Sequence, residues 1–196
     1  MSGELVCVLD DDGDLAASVG RLLVRNGYET TVHFNAVSLL AQISRIPSAC
    51  VITDVSMPGM GGFAVADAIR SVDSGVAIIF MTGWVTTRDA VDAIRRHGGL
   101  DYLDKPIDPT RLLNAVAEGV GWSKSRRHAL DRLAPLTPRE RSALELLVKG
   151  YSNKLVAAKL GLSVRTVDDH RAAIMRKTAT RNISELAEIL ADFRGS

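Results

Sequence analysis

The chain has 196 residues, of which 46% are apolar and 24% charged, and it carries a formal net charge of +1. That length allows one large core or two modest ones. No apolar run approaches the length of a membrane span, and Met1-Ser2-Gly3-Glu4 lacks the basic and apolar regions of a signal peptide. The expected address is therefore the cytoplasm, with no membrane partner.

Charge divides the chain unevenly. Residues 1–120 hold 9 Lys+Arg against 15 Asp+Glu, net −6, and residues 121–196 hold 15 against 8, net +7. An acidic half joined to a basic half points to one part that handles a cation and another that handles a polyanion.

Strands are predicted at 5–9, 29–34, 49–53, 76–82 and 100–103, with helices near 14–26, 36–45, 62–71, 87–97 and 108–120. Such alternation gives an α/β fold, a parallel sheet with helices on both faces. Asn26-Gly27 and Gly98-Gly99 mark helix ends, and Asp108-Pro109 opens the last helix of this half with a cap and a proline in the first turn. Beyond Gly121 the polar run Ser123-Lys124-Ser125-Arg126-Arg127, a short helical stretch and Pro135 predict a linker over 121–135. Thr137-Pro138-Arg139-Glu140 forms a capping box for a helix that runs to Lys149 and stops at Gly150. Ser152 caps the next helix, which ends at Gly161, Ser163 caps a third to about Thr178, and Asn182 and Glu185 open a fourth. Residues 136–196 are thus expected to form a small all-α domain.

The chemistry of the first half lies at its strand ends. Val6-Cys7-Val8-Leu9 runs into Asp10-Asp11-Asp12, Ala49-Cys50-Val51-Ile52-Thr53 runs into Asp54, and a third segment ends in Asp104-Lys105-Pro106. Ligands of open α/β sheets gather at the carboxyl ends of strands. Crowded carboxylates need a cation among them, and an all-oxygen set suits a hard ion such as Mg²⁺. A magnesium site with a free carboxylate beside a lysine is suited to a phosphoryl group, which makes Asp54 the candidate nucleophile.

Asp10 and Asp11, Asp54 followed by Met57-Pro58-Gly59, Thr82-Gly83 after Ala77-Ile78-Ile79-Phe80-Met81, and Lys105-Pro106 resemble the active-site set of a two-component receiver domain over roughly residues 1–120. The resemblance implies a flavodoxin-like (βα)5 fold and a phosphoryl group accepted by Asp54 from a sensor histidine kinase. It also implies that Asp11 binds Mg²⁺ directly and Asp10 through water, with the backbone carbonyl of Ser56 completing the protein ligands. Thr82 and Tyr102 match the switch pair, and Lys105 matches the phosphate-contacting lysine, whose bond to Pro106 is usually cis. Phosphorylation is then expected to control a homodimer through the face of the fourth helix, last strand and last helix of this domain. Trp84, two positions after Thr82, is expected to shield the acyl phosphate from water; the other reading has it point away and pack on the fourth helix. In such a sheet Cys7 and Cys50 lie on neighbouring strands; a disulfide is geometrically conceivable, but a reducing cytosol and the apolar habit of free cysteine favour two thiols.

In the second half, two short helices joined at Gly161 within a basic segment point to helix-turn-helix DNA binding. Leu136-Thr137-Pro138-Arg139-Glu140-Arg141, Gly150-Tyr151-Ser152-Asn153-Lys154, and Leu162-Ser163-Val164-Arg165-Thr166-Val167 with His170 resemble the LuxR-type carboxy-terminal domain. The two halves together resemble a NarL/FixJ-type response regulator, and the FixJ branch within it. The resemblance implies a regulator, not an enzyme, that binds promoter DNA as a phosphorylation-controlled dimer.

Leu155 stands where the family usually has glutamate, and His97 reads as a one-residue insertion. Asp168 and Asp169 occupy the base-facing stretch where basic or apolar side chains are commoner. Acids facing phosphates repel them, whereas an aspartate at a base edge can accept from a cytosine amino group; the other reading is a solvated or Arg-paired side chain. Lys154, Arg165, Arg171 and Arg176 are the expected phosphate contacts, with Thr166 beside them.

The acidic strand ends also admit three rival readings. A calcium loop from Asp10 fails because Arg21 stands at its twelfth position. A haloacid-dehalogenase-like phosphatase, with Asp10 as nucleophile and Asp12 as acid/base, lacks the further acidic pair after Lys105 and leaves Asp54 unexplained. A receiver-like dimerisation module that binds DNA without phosphorylation stays as the alternative, and the intact set Asp10, Asp11, Asp54, Thr82 and Lys105 argues against it.

Overall fold

The computed structural model describes residues 4–83 and 96–194. Trp84 and nearly all of the helix predicted near 87–97 lie outside the described residues. The chain divides into two compact units, Met1–Lys124 and Ser125–Ser196.

In the first unit, β1 (Leu5–Leu9), β2 (Glu29–His33), β3 (Cys50–Asp54), β4 (Ala77–Thr82) and β5 (Asp101–Asp104) form one parallel sheet in the order β2-β1-β3-β4-β5. β1, β3 and β4 are buried along their whole length. Central parallel strands are covered on both faces, which is why they read as continuous apolar runs instead of alternating ones. One face, with Val8, Ile52 and Met81, packs on α1 (Gly13–Arg25) and on the early turns of α4 (Pro109–Leu133). The other, with Leu9, Val51 and Phe80, packs on α2 (Ala36–Ile43) and α3 (Gly62–Val72).

Period-two geometry also settles the cysteines. Cys7 pairs in register with Val51, and Cys50 with Val6, so the two thiols project to opposite faces of the sheet. Both are free and buried, and the conceivable disulfide is ruled out.

The expected linker over 121–135 is helical through Leu133, because α4 does not stop at residue 120. The polar run that reads as a linker has no proline or further glycine before Pro135, and its side chains find partners. The Arg70 guanidinium lies 5.3 Å from the Trp122 ring, and the buried Ser123 hydroxyl donates to the Gly75 carbonyl at 2.6 Å. The division between the two units falls inside this helix, after Lys124.

The second unit contains the end of α4 with α5 (Pro138–Val148), α6 (Asn153–Leu160), α7 (Val164–Lys177) and α8 (Ile183–Arg194). Its core includes Leu133, Leu144, Val156, Val167, Ile174 and Leu186. Caps define the helix starts: Thr137 and Glu140 complete the capping box, and Ser152 and Ser163 accept from Leu155 and Thr166 amides. Gly161 sits between α6 and α7 at φ 65°, a left-handed turn that other residues adopt only with strain. Among the described residues no helix is long and apolar enough to cross a membrane.

Candidate functional site

The strand order places β1 between β2 and β3, so the chain leaves β1 and β3 toward opposite faces and opens a crevice at their carboxyl ends. Asp10 follows β1 there and Asp54 ends β3. One carboxylate oxygen from each of Asp10, Asp11 and Asp54 lies within 4.8 Å of the others. Asp10 is fully buried and Asp54 nearly so, while Asp11 is exposed.

Lys105 enters from the turn after β5. Its amide donates to the Thr82 carbonyl at 2.8 Å, continuing the β4–β5 ladder by one step, and its bond to Pro106 is cis. The ammonium then lies 2.7 Å from Asp10 Oδ2 and 3.2 Å from Asp54 Oδ2. Burial pushes the Asp10 carboxyl up from its ordinary value, with the Lys105 bond pulling the other way. Burial alone would lower Lys105, but its bonds to Asp10 and Asp54 outweigh that and hold the ammonium above its ordinary value.

The backbone around Asp54 is held closely. Val55 N donates to the Met81 carbonyl at 2.9 Å, and Ser56 N approaches Asp54 Oδ1 at 3.4 Å. Gly61 and Gly62 pass directly behind: a Cβ at Gly62 would lie 2.2 Å from the Asp54 carbonyl oxygen. The sequence reading missed Gly62, although its doublet with Gly61 at a helix start was the available signal. Thr82 ends β4 with 2% exposure, and Tyr102 on β5 is paired with Phe80 and packs half-buried against the α3 side of the sheet.

Asp10, Asp11, Asp54, Thr82 and Lys105 therefore meet at one edge, with Ser56 beside them and Tyr102 one strand away. The donors are all oxygens, and three lie close enough for one small hard cation, so the residues present fit Mg²⁺.

The basic unit shows the opposite condition. Among the described residues, Lys154, Arg165, Arg171 and Arg176 form no ion pair, and all but the partly buried Arg171 are exposed. Thr166 is engaged in the cap, its hydroxyl 2.8 Å from that of Ser163. The two acids separate. Asp168 accepts a hydrogen bond from the Asn153 amide, a partner on α6, instead of an arginine or solvent alone, while Asp169 is exposed.

Comparison with known proteins agrees with this geometry. Residues 6–117 match the response regulator receiver domain, and residues 134–190 match the bacterial regulatory proteins of the luxR family. The chain is 35% identical over 191 residues to the transcriptional regulatory protein FixJ of Azorhizobium caulinodans, covering 94% of this chain and 90% of that protein. It is 33% identical to the tetrathionate response regulatory protein TtrR of Salmonella typhimurium, over 91% and 88% of the two chains. Among solved structures it is similar to full-length FixJ from B. japonicum, with a TM-score of 0.56 at 32% identity, covering 99% of this chain and 98% of that one.

Proposed function

The chain belongs to the response regulators that join a receiver domain to a LuxR-type DNA-binding domain, and we propose that Asp54 is its phosphoacceptor. This is a regulatory family, and its members control transcription by phosphorylation. The observation that carries the assignment is the position of Asp54: nearly buried at a strand end, 3.2 Å from the Lys105 ammonium and within 4.8 Å of Asp10 and Asp11 ligand oxygens.

In this reading an Asp54 oxygen attacks the phosphorus of a phosphohistidine on a sensor kinase. A P–O bond forms, the P–N bond breaks, and the leaving imidazole takes up a proton. Lys105 compensates charge on the transferred phosphoryl oxygens. Asp10, Asp11, Asp54 and the Ser56 carbonyl would hold Mg²⁺, which supplies further neutralisation of those oxygens. The chain is thus a substrate that assists its own phosphorylation and dephosphorylation.

The buried Thr82 hydroxyl is the donor for the new phosphoryl oxygens, and its movement frees Tyr102 to turn inward, which biases a homodimer through the surface of β5. The phosphorylated dimer binds promoter DNA with Lys154, Arg165, Arg171 and Arg176 on phosphates. The receiver lies within 1–120, the DNA-binding domain within 136–196, and the protein works in the cytoplasm.

Treating wild type and Asp54→Asn with acetyl phosphate and Mg²⁺, then weighing both intact, tests the assignment. Wild type gains one phosphoryl mass and the variant none; equal uptake by the variant would overturn it. Sedimentation of the same samples should show a larger dimer fraction only in phosphorylated wild type.

A further inference from the structure

α7 presents a four-residue stripe to solvent. Arg165, Asp169, Ala172 and Arg176 recur at i, i+4, i+7 and i+11, and all four are exposed, whereas Val167 and Ile174 are fully buried on the opposite side. The stripe is basic at both ends, acidic in the middle and has a methyl group beside the acid. Arg165 and Asp169 are helix neighbours of opposite sign, yet no ion pair joins them among the described residues. Asp168, one residue away, is turned to the side of the helix and held by the Asn153 amide.

We propose that Asp169 alone of the two acids reads a base, accepting a hydrogen bond from the exocyclic amino group of a cytosine in the major groove. The inference rests on the DNA-binding reading of this unit. A polyanion is drawn to the unpaired arginines, which lie about 16 Å apart along the helix axis and reach phosphates at either end of the stripe. Asp169 then sits between them over the base edges, and Ala172 lets the helix approach closely. A carboxylate there has only acceptors to offer. Cytosine N4 is a donor, thymine O4 and guanine O6 and N7 are acceptors that repel it, and adenine sets an acceptor beside its one donor. An acid at this place rejects wrong bases more than it adds affinity, since it weakens attraction to every phosphate nearby.

The test selects binding sites from a pool of duplex DNA randomised over roughly 20 base pairs, two helical turns, using the full chain treated with acetyl phosphate and Mg²⁺. Wild type, Asp169→Ala, Asp169→Asn and Arg165→Ala are compared. Wild type is expected to select cytosine at one position of each half-site, with a preference of roughly tenfold. Asp169→Ala flattens that position alone and binds unselected DNA more tightly than wild type. Asp169→Asn shifts the same position toward adenine, whose N6 and N7 suit an amide. Arg165→Ala weakens binding to all sequences and leaves the cytosine preference in place. A profile identical in wild type and both Asp169 variants overturns the inference while DNA binding stands. Failure of wild type to enrich any sequence overturns it too, and counts separately against the DNA-binding reading.

Discussion

The two charged regions of this chain are built on opposite terms. At the sheet edge, Asp10, Asp54 and Lys105 are withdrawn from water and satisfy one another at 2.7 and 3.2 Å. On the outward face of α7, Arg165, Asp169 and Arg176 are left to solvent without internal partners among the described residues. The difference follows the ligand. A single phosphoryl group needs its charges fixed before it arrives, because reorganising them during transfer would raise the barrier. A DNA duplex brings many charges and displaces its own counterions, so solvated side chains serve until it docks. The first arrangement couples function to folding, and the second keeps them apart.

Substitutions can break that contrast, starting with the largest effect. Lys105→Ala removes the cation shared by Asp10 and Asp54, and phosphate uptake from acetyl phosphate should fall by about 100-fold, in line with the loss of one preorganised charge donor. Intact-mass time courses measure it, and an unchanged rate would mean that the partly buried lysine is structural only.

Gly62→Ala should follow at about 2 kcal/mol of stability, because its new Cβ would lie 2.2 Å from the Asp54 carbonyl and force the backbone apart. Urea unfolding reads the cost. An unchanged midpoint would show that the phosphoacceptor loop yields freely.

In the second unit, Glu140 is buried and its carboxylate accepts from the Lys177 ammonium at 2.7 and 2.9 Å. Burial alone would raise its pKa, but Lys177 and the Thr137 amide and hydroxyl outweigh that and hold it below the ordinary 4.5. A depressed carboxyl contributes stability that is full above its unfolded value and is lost as pH falls through the folded one. Glu140→Gln should therefore cost about 1 kcal/mol near neutrality and flatten the acid limb of the stability curve below about pH 4.5. A variant with the wild-type acid limb would assign that limb elsewhere.

The smallest effect on folding should come from Arg165→Ala and Arg176→Ala, within about 0.5 kcal/mol of wild type. Each should reduce the slope of log affinity against log salt by about 1, measured by fluorescence anisotropy on duplex DNA. A loss of thermal stability instead would place these arginines in the packing and erase the contrast.

Much of the sheet edge was legible because strand ends carry their chemistry in sequence order: Asp54 ends β3, Thr82 ends β4, and Lys105 follows β5 by one residue. The helix starts of the second unit were equally readable, since Thr137, Ser152 and Ser163 cap them through contacts three residues away. What escaped depends on approaches between distant segments. Gly62 is required by the backbone of Asp54, the continuation of α4 past residue 120 by partners such as Gly75, and the division between Asp168 and Asp169 by Asn153, fifteen residues earlier. Apart from the Gly61-Gly62 doublet, none of these leaves a local pattern.

The opposed thiols of β1 and β3 have a practical use. Cys7 and Cys50 are buried, and burial pushes both thiols up from their ordinary values, Cys7 against the pull of its Ser48 and Thr31 bonds. Alkylating reagents consume thiolate, so the folded chain should present them almost none. The sheet thus carries its own chemical clock: modification of either cysteine records an opening of the central strands, and mass spectrometry of the two peptides tells which opened first.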